Sequence, residues 1–440
     1  MKRREMLIGT GAALTGAALP AAAQAANLRQ AARDAYIFGL PLLEFARVRG
    51  TALGAGLPAN RFNHVARLAD HTARSVTTPN NDTVYSTAFL DLRGGPVALT
   101  LPASGERYLS VALMDAYTNN FAVLGTRVTG TRGGRVVISG PGAAAAPGGV
   151  QSPTPWVWAL GRTLVDGPAD LAAASAVQRA IALSGPRGGG APFTPMIARD
   201  GDGLAVLTAI HKLMRENPPR PEDAAAVARI RPALTDYETV RLTAEAATAL
   251  RSGVDDARTL LRGAAGLAGS TGVQGWTYPR AALGNFGTEY AYRAAVALNG
   301  LGALPSAEAM YMRPLTPDGR SVFPAGQTRH LRFGPGALPP LREPGGFWSL
   351  TMYEVDPAGQ LWLVDNPLRR YAVGDRTPGL KRGRGGALDI LMSPNDPGPA
   401  LRSNWLPAPK DKPWTVVMRT YLPQPALLEG RYRLPALAPA

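Results

Sequence analysis

The sequence contains no cysteine. Disulfides and thiolate chemistry are therefore excluded, and stability must come from core burial. It has four histidines, His64, His71, His211 and His330, and no HExxH or comparable pair, which argues against a histidine-based zinc centre. There is no GxSxG elbow, no phosphate-binding Walker loop and no dinucleotide fingerprint on a strand. A dispersed serine triad carries no such local signature, because its members need not be adjacent in sequence. Lysine is scarce, with Lys2, Lys212, Lys381, Lys410 and Lys412 the only ones, so the formal charge of +15 is carried by arginine. Those arginines are scattered in small clusters and draw no basic stripe, so no nucleic-acid partner is implied. A loose attraction to anionic envelope polymers remains compatible with the charge. Beyond the N-terminus no apolar run is long enough to span a bilayer.

Glycine (50) and proline (40) are abundant among the 440 residues, a density that favours many turns. At this length two or three domains are expected, and 45% hydrophobic content suffices for real cores. Lys2-Arg3-Arg4 precedes an apolar stretch over 6–19, and Ala23-Gln24-Ala25 offers a small-x-small cleavage site. Residues 1–25 thus read as a signal peptide, twin-arginine-like, with a Sec signal as the alternative. The expected location is periplasmic or secreted. Removing this segment takes away a net +2 and leaves about +13.

Along the remainder, helical spacing over 28–48 predicts one helix that Pro41 ends or kinks. Short runs at 97–101, 108–114, 121–128, 135–138 and 156–160, punctuated by glycine and proline, predict strands, with 139–155 as a surface loop. Alanine-rich segments at 170–183, 204–216, 221–234, 237–250 and 255–267 predict helices, followed by another from Thr288 to Gly300. Strands return after Met312: 347–355 and 360–364 flank the turn Asp356-Pro357-Ala358-Gly359, and 388–392 and 415–421 complete the set. The order is β, α, β. The expected divisions are 26–165 (a helix plus a β-sandwich), 166–312 (helical) and 313–440 (a second sandwich).

Two polar motifs stand out. Asn80-Asn81-Asp82 and Asp115 with Asn119-Asn120 adjoin strand-like runs. Asp82 and Asp115 are candidates for paired acid–base chemistry or for an oxygen-ligand site, for which calcium suits carboxylates and amides. The spacing matches no EF-hand loop, and the same residues equally serve as turn locks that accept backbone N–H groups. In the C-terminal part, Asn366, Arg370, Tyr371, Asp375 and Arg376 crowd together. Arg376 is placed to clamp a carboxylate or phosphate, or else to pair with Asp375 and hold a loop. Trp405 offers a stacking surface or a core anchor. Tyr85, Tyr117, Tyr290, Tyr311, Tyr353 and Arg127 are candidates to line a groove between domains.

Several longer motifs converge on a resemblance. TPNNDT (Thr78 to Thr83), LMDAYTNNFAVLGTR (Leu113 to Arg127) and WALGRT (Trp158 to Thr163) resemble the domain-of-unknown-function family numbered 1254. FWSLTMYE (Phe347 to Glu354), NPLRRYAVGDRT (Asn366 to Thr377) and SNWLPAP (Ser403 to Pro409) resemble the family numbered 1214. The resemblance covers nearly all of the chain beyond the signal and implies exported bacterial proteins of mixed, multi-domain architecture. It implies two β-sandwich domains, the second jelly-roll-like, with an α-helical domain between them. It carries no catalytic mechanism that transfers residue by residue. The expected function is binding of a small polar or carbohydrate-like ligand in an interdomain cleft. A hydrolase or lyase using Asp and Tyr acid–base chemistry, and a structural envelope protein that self-associates, are the alternatives.

Overall fold

The computed structural model describes residues 21–439, except 75–76, 145, 189–190, 196–198, 264–270 and 317. The basic and apolar stretch of the expected signal peptide thus lies outside the described residues, and only its last few residues are included.

Helix α1, Ala21–Gly54, continues past Pro41 instead of ending there. Proline forfeits one helical hydrogen bond. Burial of Ala32, Ala35, Phe38, Leu40, Leu42, Phe45 and Ala46 offsets that loss. These side chains pack on α2 (Gly203–Glu216), α3 (Ala244–Gly263) and α4 (Tyr290–Asn299) in one core. Helix α3 occupies a region expected to hold two helices. The glycine that invites a break, Gly253, instead permits close approach: a Cβ there would stand 2.2 Å from the Arg29 carbonyl oxygen of α1. The expected helix at 170–183 is shorter, Leu171–Arg179, because Ala182–Ser184 pairs as a strand with Val97–Leu101. A hairpin at Thr271–Val273 and Trp276–Tyr278 interrupts the alanine-rich middle, its turn formed by Gln274 and Gly275 at positive φ. Residues 150–151 of the expected loop pair with the strand Gly134–Ser139.

The strands that matter below are β1 (Thr83–Asp91), β2 (Leu109–Asp115), β3 (Trp156–Leu164), β4 (Ala309–Pro314), β5 (Phe347–Val355) and β6 (Trp414–Tyr421). In the first half, β1, β3 and β2 are antiparallel neighbours in a five-stranded sheet. Ala88, Leu90, Val111, Leu113, Val157 and Ala159 of that sheet share a core with Val97, Leu99, Leu101, Val136 and Ile138 of a four-stranded sheet. In the second half, β4, β6 and β5 form the centre of a seven-stranded sheet. Met310, Met312, Trp348, Leu350, Met352, Val416 and Met418 share a core with Leu331, Phe333, Leu388, Ile390 and Met392 of another four-stranded sheet. Full burial of such side chains stabilises by about 1.5–3 kcal/mol each.

The opposite face of β4, β5 and β6 has another character. Period-two alternation puts Tyr311 and Arg313, Ser349, Thr351 and Tyr353, and Arg419 and Tyr421 there. It faces the first half across a seam. Part of this seam is apolar, where Tyr108, Val123, Leu164, Phe347 and Tyr421 cluster and the Phe347 and Tyr421 rings stack at 4.1 Å. The rest is polar. The architecture is mixed α and β, with several antiparallel sheets.

Candidate functional site

Residues 77–82 lie across the second sheet. Thr78 donates its N–H to the Leu361 carbonyl, and the Leu361 N–H reaches Thr77 Oγ1. Thr78 has φ of 58°, a left-handed conformation that a β-branched residue adopts at a cost of about 1–3 kcal/mol. Its carbonyl accepts from Arg419 Nη2 at 3.2 Å, and the neighbouring Pro79 carbonyl accepts from the Tyr353 hydroxyl at 2.6 Å. Asn80 Nδ2 donates to the Tyr421 hydroxyl at 2.8 Å, while Asn80 Oδ1 accepts the Asp82 N–H. Ser349 Oγ donates to Asp82 Oδ2 at 2.6 Å. The first polar motif is thereby held in register on β5 and β6.

Arg419 is buried and central. Its Nη1 donates to Thr351 Oγ1 at 2.8 Å and its Nη2 to the Tyr353 hydroxyl at 2.7 Å. On the facing sheet, Arg162 stands opposite Tyr85 in the β1–β3 ladder, its guanidinium 5.4 Å from the ring centroid. On the second sheet Tyr311 stands opposite Arg419. Asp82, Tyr311 and Arg313 are ringed by protein yet keep part of their surface in contact with solvent. Asp375 and Arg376 follow Gly374, which pairs with Ser349. Gly374 permits that pairing, since a Cβ would stand 2.2 Å from the Trp348 carbonyl oxygen. Asp375 Oδ1 accepts the Trp348 N–H, and Arg376 crosses to Asp166 of the first half at 3.3 Å.

Burial pushes the Asp82 carboxyl above the usual carboxylate range, against the opposing pull of Arg419 and Ser349. Burial likewise pushes Asp375 up to about 6, with Asp82 adding to the shift and the Trp348 N–H and Arg376 opposing it. Burial also raises the Tyr311, Tyr353 and Tyr421 hydroxyls above their ordinary value of 10, so all three are neutral at physiological pH.

Asp375 has a consequence for stability. A raised carboxyl pKa means that the native state holds its proton more tightly than the unfolded chain. The contribution of Asp375 therefore grows as pH falls through 6 and is lost as pH rises. Asp375→Asn keeps the acceptor for Trp348 and removes the charge. Its Tm relative to wild type is expected to be highest at pH 8 and to converge near pH 4. The shift sets a ceiling of about 3 kcal/mol, reduced by the partial solvent contact of the group. Melting curves of both proteins across pH 4–8 check this, and a pH-independent difference contradicts it.

Of the residues singled out in sequence, the seam brings together Asn80, Asp82, Tyr85, Tyr311, Tyr353 and Asp375, with Arg376 at its rim. Asn81 turns away to the Ala69 carbonyl. Asp115 has different neighbours: it accepts the Asn119 N–H at 2.9 Å and Asn119 Nδ2, and its field is that of Arg293 and Arg220. Asn119 Oδ1 accepts the Phe286 N–H, and Asn120 Nδ2 donates to the Gly284 and Ala303 carbonyls. Tyr117 and Tyr290 pack on Phe38 and Arg293. Arg127 pairs with Glu308, which also accepts from the Tyr108 hydroxyl. Arg370 donates to the carbonyls of Arg402, Ser403 and Trp405, and Trp405 is buried with Nε1 on the Ser393 carbonyl.

Sequence reasoning missed Arg162, Arg313, Ser349, Arg419 and Tyr421. The signal was the alternation in 348–353, where Trp348, Leu350 and Met352 are apolar and Ser349, Thr351 and Tyr353 lie between them; in 416–421 it is broken by Val417 on the seam side and Thr420 on the core side. Among the described residues no group of three or more His, Cys, Asp or Glu side chains is placed to hold a metal ion. No described helix is long and apolar enough to cross a membrane. A surface recess of about 250 Å³ lies elsewhere, walled by Leu92, Gly95, Pro96, Gly140, Pro141 and Pro155. Its charged wall, Arg93, is committed to Asp91, so the seam is the better candidate.

Two β-rich halves, joined by helices and meeting at a polar seam, define the class of protein. The chain belongs to two families in tandem: residues 59–185 match "Protein of unknown function (DUF1254)" and residues 308–425 match "Protein of unknown function (DUF1214)". Among solved structures it is similar to the VPA0106 protein from Vibrio parahaemolyticus, with a TM-score of 0.70 and 23% identity over 94% of this chain and 100% of that one. That likeness concerns the fold alone. A putative uncharacterized protein from Burkholderia cenocepacia aligns at a TM-score of 0.42 and 13% identity, over 91% of this chain and 92% of that one. Comparison with curated proteins gives no match.

Proposed function

We propose that the protein binds a small polar or carbohydrate-like ligand in the recess at the seam. The observation that carries this reading is the convergence of Asp82, Tyr85 and Arg162 with Tyr311, Arg313, Ser349, Arg419 and Tyr421. These polar groups come from both halves, and several are enclosed by protein while still touched by solvent. Ligand sites favour such boundaries, with a few placed polar groups to orient the ligand. The strained Thr78, held on Arg419 and Leu361, is of the kind that clusters at functional sites. We read each pair of sheets as a β-sandwich, the second jelly-roll-like, with the recess between them. The basic then apolar N-terminus supports placing the protein in the periplasm.

One observation favours a second reading, acid–base catalysis on the bound ligand. Asp375, near 6, is poised to exchange a proton at neutral pH, and it lies in the field of Asp82. Asp115 has no part in it, because its surroundings are those of a turn.

A panel of neutral sugars, amino acids and small carboxylic acids, screened by thermal shift and followed by calorimetric titration, tests the binding reading. At least one class is expected to raise Tm in a saturable way, and Tyr421→Phe is expected to weaken that ligand. A hit whose affinity is indifferent to Asp82→Asn, Tyr421→Phe and Arg419→Met places binding elsewhere and overturns the reading.

A further inference from the structure

We propose that the ligand of the seam recess is a small oxyanion, a carboxylate- or phosphate-bearing molecule whose charge is taken up by Arg162, Arg313 and Arg419. This deepens the binding reading and rests on it.

The seam encloses more positive than negative charge. Arg162 and Arg419 are buried, Arg162 at 5% exposure. Arg313 is surrounded by protein, and its guanidinium donates to no partner and joins no ion pair among the described residues. Against these three stands Asp82. Arg127 and Glu308 are also nearby, but they form their own ion pair and cancel. Arg376 and Asp166 cancel in the same way. Counting Asp375, which feels Asp82, still leaves a guanidinium without a counter-charge. The other groups around them are hydroxyls of Tyr85, Tyr108, Tyr311, Tyr353 and Tyr421. Burial holds Tyr108, Tyr311, Tyr353 and Tyr421 above their ordinary value, so at neutral pH these supply dipoles and not charge.

Arg162 shows the same deficit in its hydrogen bonds. Its Nη2 donates to the Gly302 carbonyl at 2.8 Å, but its Nη1 is fully enclosed and has no partner. A buried charged donor left unmade is costly, and a protein retains one where something else completes it. A guanidinium fork is matched to the paired oxygens of a carboxylate or phosphate. The tyrosine hydroxyls around it would read the remaining oxygens of the ligand, which agrees with a hydroxylated anion such as an acidic sugar.

The test uses three probes at constant ionic strength: inorganic phosphate, glucuronate, and glucose as its neutral counterpart. Constant ionic strength matters because a chain of formal charge +15 attracts anions everywhere. Wild type is expected to show a saturable rise in Tm of several degrees with glucuronate or phosphate and none with glucose. Arg162→Met is expected to lose that rise, with affinity down at least tenfold. Its Tm without ligand is expected to be no lower than that of wild type, since an unpaired buried charge has been removed. Arg313→Met, which breaks no hydrogen bond, provides the second variant and is expected to lose the rise as well. If glucose stabilises as well as glucuronate, the recess binds ligand but the anion assignment is wrong. An equal rise in both variants means that the anion sits elsewhere, and silence with both anions also overturns the assignment.

Discussion

Replacing Arg293 by alanine is expected to destabilise the protein by about 3–5 kcal/mol while leaving ligand binding intact in whatever remains folded. Arg293 is completely buried on α4, inside a cage of Phe38, Tyr117 and Tyr290, whose ring centroids lie 5.1, 5.4 and 5.2 Å from its guanidinium carbon. It donates to the Phe38 carbonyl, and its charge faces Asp115 and Asp223. Truncation leaves the buried Asp115 without the main cation that opposes its burial and opens a cavity where three rings converge. A fall in Tm of roughly 10 °C follows from the size of the loss. Arg293→Met, which fills more of the space, is expected to fall between alanine and wild type. Calorimetric melts of the three proteins check the ordering. A ligand affinity that collapses in Arg293→Ala, measured well below its Tm, contradicts the assignment of the Asp115 motif to the scaffold.

Arg419→Met is expected to act the other way round, costing ligand affinity on the order of 100-fold. The methionine covers the same stem but gives up the bonds to Thr351, Tyr353 and Thr78. Asp82 then loses the main cation that opposes its burial and takes up a proton more readily. Arg419→Lys restores a charge without the fork and is expected to recover little affinity. Some stability is lost too, because Thr78 and Pro79 are held on the Arg419–Tyr353 pair. Titration calorimetry with the best compound of the panel, at a temperature where each variant is folded, separates the two effects. Binding within threefold of wild type contradicts the central place given to Arg419.

Much of the architecture is legible from local patterns. The strands at 347–355 and 415–421 declare themselves as short runs rich in β-branched and aromatic residues between turn signals, and the alanine-rich helices through their spacing. Pro41 and Gly253 mislead for a shared reason: each breaks helices by its local chemistry, but long-range packing of α1 on α3 decides otherwise. The motif at 78–83 stands out in the sequence, and its role becomes clear only when Tyr421 and Ser349, several hundred residues later, are brought against it. The two asparagine–aspartate motifs look alike in sequence, yet one lies on the seam and the other ties a turn to 284–286 and the Ala303 carbonyl. Arg162 and Arg419 are single arginines inside apolar runs. Nothing local reveals that two sheets bring them to one seam.

The measurement that bears most directly on this account is a crystal structure of the protein with the compound that stabilises it most. That molecule is expected between β1 and β3 on one side and β4, β5 and β6 on the other, with its oxygens on Arg419 and Arg162. A molecule bound instead in the recess beside Leu92 and Pro155, with the seam unchanged, would contradict it.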